Sequence, residues 1–394
     1  MGNKLEVVIA NAVRTPIGSY NGALASIMAP QLGSIVIKEV LHRSGVESNQ
    51  VDEVIMGNVL TAGEGQAPAR QAALHAGLPT SVSCMTINKV CGSGLKAVML
   101  GAQAIALGDS EIVVAGGMES MSNVPYYLPQ ARFGLRMGHS QIIDGMIRDG
   151  LWDVYNNFHM GNAAELCARE CKIPRESQDE FAILSYQRAL EAQKKGWFNE
   201  EIVPVTVKHK KEESIIREDE EPQKVKFDKI SSLRPAFEKE GTVTAANASK
   251  INDGAAAVLM MSREKADDLG IKPLAKIKAY STASKDPEWF TTAPADAIDR
   301  LLKKSGLSAP KIDLFEINEA FSVVSLAVNQ ILNLDVNKVN IAGGAVALGH
   351  PIGASGSRIL TTLLYNLKRT HGKTGIASLC IGGGEAVAVL VEML

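Results

Sequence analysis

The sequence has almost no net charge, since 41 Lys and Arg against 43 Asp and Glu give −2 at pH 7. It therefore lacks the basic field typical of nucleic-acid binding, and it has no acidic tail. The first residues lack the long apolar core of a signal peptide, and the apolar runs look too short to span a membrane. We therefore expect a globular protein that binds neither nucleic acid nor membrane.

Cysteine is scarce, and its five residues are an odd number. Without a signal peptide, an odd count favours reduced thiols, so we expect a cytoplasmic protein. Cys167 and Cys171 lie on one face of a predicted helix, but no Cys/His pair accompanies them at ligand spacing. We expect buried thiols there and no metal site.

Strand patterns alternate with helix patterns, which predicts an α/β fold. The element order of the first half recurs in the second, which indicates an internal duplication. Between the halves, residues 121–248 have a different composition, and we expect an inserted, mostly exposed domain. The predicted strands are 5–13, 51–59, 111–115, 274–283, 312–317, 374–380 and 386–392, and the predicted helices are 31–44, 67–77, 93–108, 293–305, 321–332 and 356–369.

Two cysteines and one histidine each lie in a glycine-rich run. Cys91 occurs in Asn-Lys-Val-Cys-Gly-Ser-Gly, His350 in Ala-Leu-Gly-His-Pro-Ile-Gly-Ala-Ser-Gly, and Cys380 in Cys-Ile-Gly-Gly-Gly. Cysteine serves as nucleophile and base near neutral pH, with histidine as its usual partner. Glycine lets backbone N–H groups approach a ligand oxygen. The combination indicates acyl transfer through a thioester.

The predicted elements add expectations about these side chains. Cys91 precedes a helix, where the helix dipole and free N–H groups favour the thiolate. Cys380 ends a strand, and nearby N–H groups can bring its pKa close to neutrality. Asn318 lies between a strand and a helix, where a helix N-cap is the alternative role. The glycine runs lack the dinucleotide-binding pattern, so we do not expect a dehydrogenase.

Motifs in order along nearly the whole chain resemble those of the thiolase family, most closely its short-chain, biosynthetic acetyl-CoA C-acetyltransferases. The resemblance implies two duplicated βαβαβαββ halves in a five-layered α-β-α-β-α core with an inserted loop domain. The N-terminal half would comprise residues 1–120 and 250–272, and the C-terminal half would comprise residues 273–394. The inserted loop domain, residues 121–249, would bind CoA and make tetramer contacts. The motifs are the three runs above, Val-Ala-Gly-Gly-Met-Glu-Ser-Met-Ser (114–122), Phe-His-Met-Gly (158–161), Gly-Thr-Val-Thr-Ala-Ala-Asn-Ala-Ser (241–249) and Asn-Glu-Ala-Phe (318–321).

This resemblance also implies a ping-pong condensation of two acetyl-CoA to acetoacetyl-CoA and CoA. Cys91 would carry the acetyl group as a thioester. His350 would take the Cys91 proton and donate a hydrogen bond to the thioester oxygen of the CoA substrate. Cys380 would remove a proton from the acetyl methyl group. Asn318 would hold a water that completes this oxyanion hole, and the N–H groups of Cys91 and Gly382 would form a second one.

For substrate binding, the resemblance places Ser249 against the pantetheine arm and Lys224 near the CoA phosphates. Within the charged stretch 208–221, the mixed-charge run 208–213 is interpreted as a solvated hairpin, with CoA phosphate contacts as the alternative. The family is expected to form a homotetramer of two dimers, with no metal and no cofactor besides its CoA substrates. The expected pocket residues are Leu151, His159, Met160, Phe237, Phe290, Ala320 and Phe321.

The chain departs from the family pattern near this pocket. Phe290 replaces a pocket methionine, so we expect a preference for acetoacetyl-CoA over 2-methyl-branched substrates, unless the ring points away. Ala246 replaces a commoner glycine, and Lys250 a small residue.

Three other functions remain open on the sequence. A degradative 3-ketoacyl-CoA thiolase would use the same residues with longer acyl chains. A decarboxylating ketoacyl synthase would not need Cys380. A non-catalytic acyl-CoA-binding or lipid-binding relative would not need intact Cys91, Asn318, His350 and Cys380.

Overall fold

The computed structural model describes residues 5–208 and 212–394. Within these residues, ten strands form one mixed sheet, and six short strands form three hairpins. The strands are β1 (Val7–Arg14), β2 (Gly18–Ser19), β3 (Glu53–Gly57), β4 (Ser83–Ile87), β5 (Ile112–Ser120), β6 (Tyr126–Tyr127), β7 (Ile143–Asp144), β8 (Trp152–Asp153), β9 (Phe158–His159), β10 (Val205–Lys208), β11 (Glu213–Ile216), β12 (Asn252–Ser262), β13 (Ala275–Ser284), β14 (Leu314–Ile317), β15 (Thr374–Ile381) and β16 (Glu385–Met393).

The helices connect these strands, and each predicted strand and helix lies within a few residues of an observed one. Strands β2, β4, β6 to β9 and β12 and the helices Arg175–Lys194, Arg263–Asp268 and Ala345–Leu348 had no predicted counterpart, whereas the helix Met160–Glu170 matches the one predicted around Cys167 and Cys171. The helices in the described residues are α1 (Ala29–Ser44), α2 (Pro68–His75), α3 (Ser93–Leu107), α4 (Met160–Glu170), α5 (Arg175–Lys194), α6 (Arg263–Asp268), α7 (Ala293–Ser305), α8 (Ser322–Leu332), α9 (Ala345–Leu348) and α10 (Ser355–Thr370).

Helices α3 and α10 form the central layer. Their apolar side chains contact β1, β5 and β12 on one side and β15 and β16 on the other. Helices α1 and α2 cover the outer face of the first part of the sheet, and α7 covers that of the second. The two parts are joined where β1 pairs with β13. The layer order is therefore α-β-α-β-α, as predicted.

The two halves approach each other closely at Gly117, on strand β5. A Cβ atom at this position would lie 2.0 Å from the carbonyl oxygen of Gly353. Only glycine permits that approach, because any side chain would overlap the backbone of the other half. The contact brings the loop after His350 against the half that carries Cys91.

The inserted segment is more buried than predicted. Small residues of α4, such as Ala163 and Ala164, pack against α8 of the C-terminal half. On α5, Ala182 and Ala189 contact Val346. The expectation of a mostly exposed domain was therefore wrong for these helices, because alanine allows close helix packing that composition does not reveal.

The charged run 208–221 falls partly on residues 209–211, which lie outside the described residues. Strands β10 and β11, which flank those residues, pair as a hairpin.

One apolar run is longer than expected. Val90–Leu107 is, by length and composition, long and apolar enough to cross a membrane, so the expectation that all such runs are too short was wrong. The run contains α3, whose Leu95, Val98 and Ile105 are fully buried between the two parts of the sheet. A helix that packs against strands on both sides needs apolar residues on both faces, and this packing explains the long apolar run.

Candidate active site

Cys91 lies in a tight turn between β4 and α3. The turn has a positive φ of 47° at Val90, where a β-branched residue is strained. Asn88 Oδ1 accepts a hydrogen bond from the Val90 N–H at 2.9 Å. Ser93 Oγ donates to Val90 O at 2.7 Å and accepts from the Lys89 N–H at 2.8 Å. These bonds hold the turn so that Cys91 lines a cavity of about 230 Å³.

The Cys91 thiol is neutral in the resting protein. Burial raises its pKa to about 11, although the N–H groups of Gly382 and of Cys91 itself donate to the sulfur. The expectation of a thiolate at the helix N-terminus was therefore wrong, because removal of the sulfur from water outweighs these donors. The same two N–H groups can donate hydrogen bonds to a negatively charged oxygen in the cavity.

His350 is placed by the glycine before it. Gly349 has a φ of +109°, and a Cβ atom there would lie 2.5 Å from Asn252 Cγ. Asn252 Oδ1 accepts a hydrogen bond from the His350 N–H at 2.9 Å. The imidazole is 5% exposed and lines the same cavity as Cys91.

The partners of the His350 ring favour one tautomer. Ser355 Oγ lies 2.6 Å from Nδ1 and 2.9 Å from Pro351 O, to which it can donate its proton. With the hydroxyl donating to Pro351 O, Nδ1 carries the proton of the Ser355–His350 bond, because a hydroxyl has one hydrogen. Nε2 is then unprotonated, and it has no partner among the residues that the structure describes. Burial, and then Arg358, lowers the pKa of His350 to about 3, so the ring is a neutral base.

Asn318 and Cys380 lie behind the cavity wall on adjacent parallel strands. Asn318 follows β14, whose Ile317 pairs with Ser378 of β15. Its Nδ2 lies 3.4 Å from Nδ1 of His350. Cys380 is fully buried in β15. Burial, and secondly charge on Cys91, would raise the Cys380 pKa well above its usual value, so the expected near-neutral pKa was wrong.

The cavity wall is formed by the predicted substrate-pocket residues. Phe290 is 3% exposed and lies edge to face with Phe321 at 6.4 Å, so its ring lines the cavity and does not point away. Phe237 stacks on His159 at 4.7 Å. The predicted residues that line the cavity are Leu151, His159, Met160, Phe237, Ser249, Phe290, Ala320 and Phe321, with Gly382 beside them.

Lys224 does not reach this cavity. It lines an outer cleft of about 430 Å³ that shares Phe237 and Ser249 with the cavity wall. Its Nζ donates to Ser19 Oγ and lies 3.4 Å from a carboxylate oxygen of Glu220. The structure therefore places Lys224 at the entrance, apart from the reacting groups.

Sequence reasoning missed the residues that support the site. Glu119, fully buried in β5, accepts hydrogen bonds from Asn58 Nδ2, from the Val59 and Leu60 N–H groups and, at 2.8 Å, from the Gly353 N–H. It thereby ties both halves together. A lone glutamate in an otherwise apolar strand motif was the signal.

Ser355, Asn252 and Lys250 were also missed as supporting residues. Ser355 and Asn252 bond to His350, and Lys250 lines the cavity. Only Ser355 could have been found, as a hydroxyl soon after the histidine. In the described residues, no group of three or more His, Cys, Asp or Glu could hold a metal ion.

Comparison with known proteins places this site in a family. The model of the thiolase N-terminal domain matches residues 7–264, and that of the thiolase C-terminal domain matches residues 271–393. An acetyl-CoA acetyltransferase from Cupriavidus necator is 57% identical over 98% of this chain and 99% of its own. One from Schizosaccharomyces pombe is 55% identical over 98% of each chain.

Solved structures agree with these matches. A thiolase from Ascaris suum in complex with coenzyme A has a TM-score of 0.95 at 47% identity, covering 99% of this chain and all of its own. The Bacillus anthracis acetyl-CoA acetyltransferase has a TM-score of 0.98 at 45% identity, covering all of both chains. With both domain models matched in order and relatives identical at more than half of their positions, the chain belongs to the thiolase family.

Proposed function

We propose that this protein is an acetyl-CoA C-acetyltransferase, which condenses two acetyl-CoA to acetoacetyl-CoA and CoA. The observation that carries the proposal is that Cys91 and a His350 whose Nε2 has no partner among the described residues line one cavity, with a second thiol, Cys380, behind it. The names of the relatives support the same activity.

In the first half-reaction, Cys91 gives its proton to His350 Nε2 as the sulfur attacks the thioester carbonyl. The N–H groups of Cys91 and Gly382 stabilise the oxyanion, and the bond to the CoA sulfur breaks. Because Cys380 must become a base for the second step, and its thiol is neutral at rest, its proton goes to the departing CoA thiolate. The products are acetyl-Cys91, CoA, a Cys380 thiolate and a His350 imidazolium.

In the second half-reaction, the Cys380 thiolate removes a methyl proton from another acetyl-CoA. The imidazolium Nε2–H of His350 donates to the enolate oxygen, next to Asn318. The enolate carbon attacks the acetyl group, and the Cys91 sulfur leaves and takes its proton back from His350. Both cysteines and the histidine return to their neutral forms, so atoms and charges balance.

Cavity size favours short acyl groups. A volume of about 230 Å³, with Phe290 and Phe321 packed in its wall, leaves little space beside the thioester. A side chain in a packed wall does not move aside without cost. We therefore expect acetoacetyl-CoA to be cleaved faster than longer 3-ketoacyl-CoAs, which separates this function from the degradative one.

The test is brief incubation with labelled acetyl-CoA, followed by peptide mapping and by thiolysis rates across 3-ketoacyl-CoAs of increasing length. We expect the label on Cys91 and the highest rate with the four-carbon substrate. Label on Cys380 would overturn the assignment of roles, and equal rates with the six-carbon substrate would favour the degradative enzyme. A protein that binds CoA without forming a labelled intermediate would be the non-catalytic relative.

We also propose a homotetramer. Large apolar side chains of the inserted segment are exposed, among them Phe133, Leu135, Met137 and Ile142. Such a cluster on one segment is typical of an interaction surface. Light scattering of the wild type and of Phe133→Asp should give a tetramer and a smaller species, respectively.

The cytoplasm is the proposed compartment, because the chemistry needs Cys91 and Cys380 as free thiols, as the structure has them.

A further inference from the structure

Lys250 lies between the catalytic cavity and the outer cleft, and its side chain lines both. Its Nζ donates to Ala248 O at 2.7 Å and to Val346 O at 3.3 Å. The same ammonium lies over the ring of Tyr186, 5.6 Å from its centroid. Three elements of the molecule therefore meet at one cation.

These carbonyls belong to two segments that each contribute residues to the cavity lining, residues 248–251 and the chain leading to His350. Ala248 precedes Ser249, whose N–H donates to Ala320 O at 2.9 Å. Val346 belongs to α9, just before His350, and its N–H donates to Glu319 at 3.1 Å. Both segments are thus anchored on the turn at 319–320, and Lys250 links them directly.

Titratable groups on the elements that pack against the Lys250 ammonium affect its pKa. Burial lowers the Lys250 pKa to about 8, and the carboxylates of Glu221 and Glu319 oppose this effect. The Tyr186 hydroxyl stays neutral, because burial raises its pKa above the usual value. An ammonium has three N–H bonds, and the two carbonyls use two of them.

We propose that Lys250 is a positioning residue. Its ammonium fixes the Ala248–Ser249 segment to the His350 loop and thereby positions the surface against which the pantetheine arm of the CoA thioester binds. A small neutral residue could make none of these contacts. The inference rests on the proposed function, since it concerns the same substrate.

Two variants separate the cation from the volume of the side chain. Lys250→Ala removes the ammonium and leaves space, whereas Lys250→Met removes the charge and keeps most of the volume. We expect the KM for acetoacetyl-CoA and the calorimetric Kd for CoA to rise about tenfold in both, with a smaller change in kcat, because a hydrogen bond from a charged donor is lost. Lys272→Met, at an exposed position far along the chain, is the matched control and should behave as wild type.

Chemical rescue distinguishes positioning from a general effect on folding. Ammonium chloride should bring the KM and Kd of Lys250→Ala back toward the wild-type values, while sodium chloride at the same ionic strength should not. Lys250→Met should not respond, because its side chain fills the site. In the wild type, the KM should rise above about pH 8 as the ammonium loses its proton, and in Lys250→Met this step should be absent.

Wild-type KM and Kd in both variants would overturn the inference. So would an equal loss in both that ammonium does not reverse, since Lys250 would then serve the fold alone. If the wild type proves inactive, the proposed function fails, but the CoA Kd and its response to ammonium still decide the role of Lys250.

Discussion

The resting enzyme should hold Cys91 and His350 as a neutral thiol and a neutral imidazole, and the pH dependence of alkylation tests this. With a thiol pKa of about 11, roughly one Cys91 in 10⁴ is a thiolate at pH 7, a cost of about 5 kcal/mol. Protonating His350, with its pKa of about 3, costs about as much again. Both costs have the same origin, which is the removal of these groups from water.

Iodoacetamide reacts with the thiolate, so the rate of Cys91 alkylation should rise by about tenfold per pH unit from pH 6 upward. The rate is followed by mass spectrometry of the Cys91 peptide, which separates it from the other cysteines. Acylation by acetyl-CoA should change little over the same range, because His350 takes the proton during attack. Replacing His350 with asparagine should slow acylation by about 10²–10⁴-fold and leave the alkylation slope unchanged.

An alkylation rate that is already at its plateau between pH 5 and pH 7 would refute this reasoning. It would mean that a thiolate–imidazolium pair exists at rest. The hydrogen-bond donors at the Cys91 turn would then affect the pKa of the thiol more strongly than burial does.

Three further predictions concern separate parts of the molecule. Cys380→Ser should leave acyl-enzyme formation detectable while condensation falls about 10²–10⁴-fold, since serine is too weak a base; equal loss of both half-reactions in a folded variant would contradict the separate roles. Phe290→Met should raise cleavage of 2-methylacetoacetyl-CoA relative to acetoacetyl-CoA, and an unchanged ratio would show that the ring is not a barrier. Arg14→Met should lower the free energy of unfolding by about 3–5 kcal/mol in urea titrations. Arg14 forms ion pairs with Glu201 at 2.5 Å and with Asp219 at 2.7 Å, and the substitution leaves both carboxylates buried without their partner. A loss below about 1 kcal/mol would contradict this reasoning.

Local sequence was sufficient to predict much of this site. Cys91, His350 and Cys380 lie in glycine-rich runs. Individual glycines in these runs have identifiable structural roles, such as the positive φ at Gly349. Strand and helix patterns predicted an α/β fold, whereas the five-layered order was implied by the family resemblance. The order of motifs along the chain carried the family resemblance.

Protonation states and long-range supports could not be predicted in this way. The pKa of Cys91 depends on how deeply the folded chain buries it, and its neighbours in sequence indicated the opposite direction. Lys250 stood out in the sequence only as a departure from the family pattern, and its contacts could not be predicted because Val346 and Tyr186, which surround its ammonium, are far from it in sequence. Alanines of α4 and α5 gave no signal of burial, since alanine is common in exposed and buried helices alike.

The opposed pKa shifts have a consequence for the order of the chemistry. His350 resists a proton and Cys380 resists losing one, so the charged pair that the second half-reaction needs is costly in the empty site. In the proposed mechanism, acylation of Cys91 would form that pair, because the departing CoA thiolate would take the Cys380 proton while His350 keeps the one from Cys91. The base for carbon–carbon bond formation would then exist only after the acetyl group is in place. Proton removal from acetyl-CoA without an acceptor would be avoided, so the proposed proton transfers are consistent with a ping-pong order.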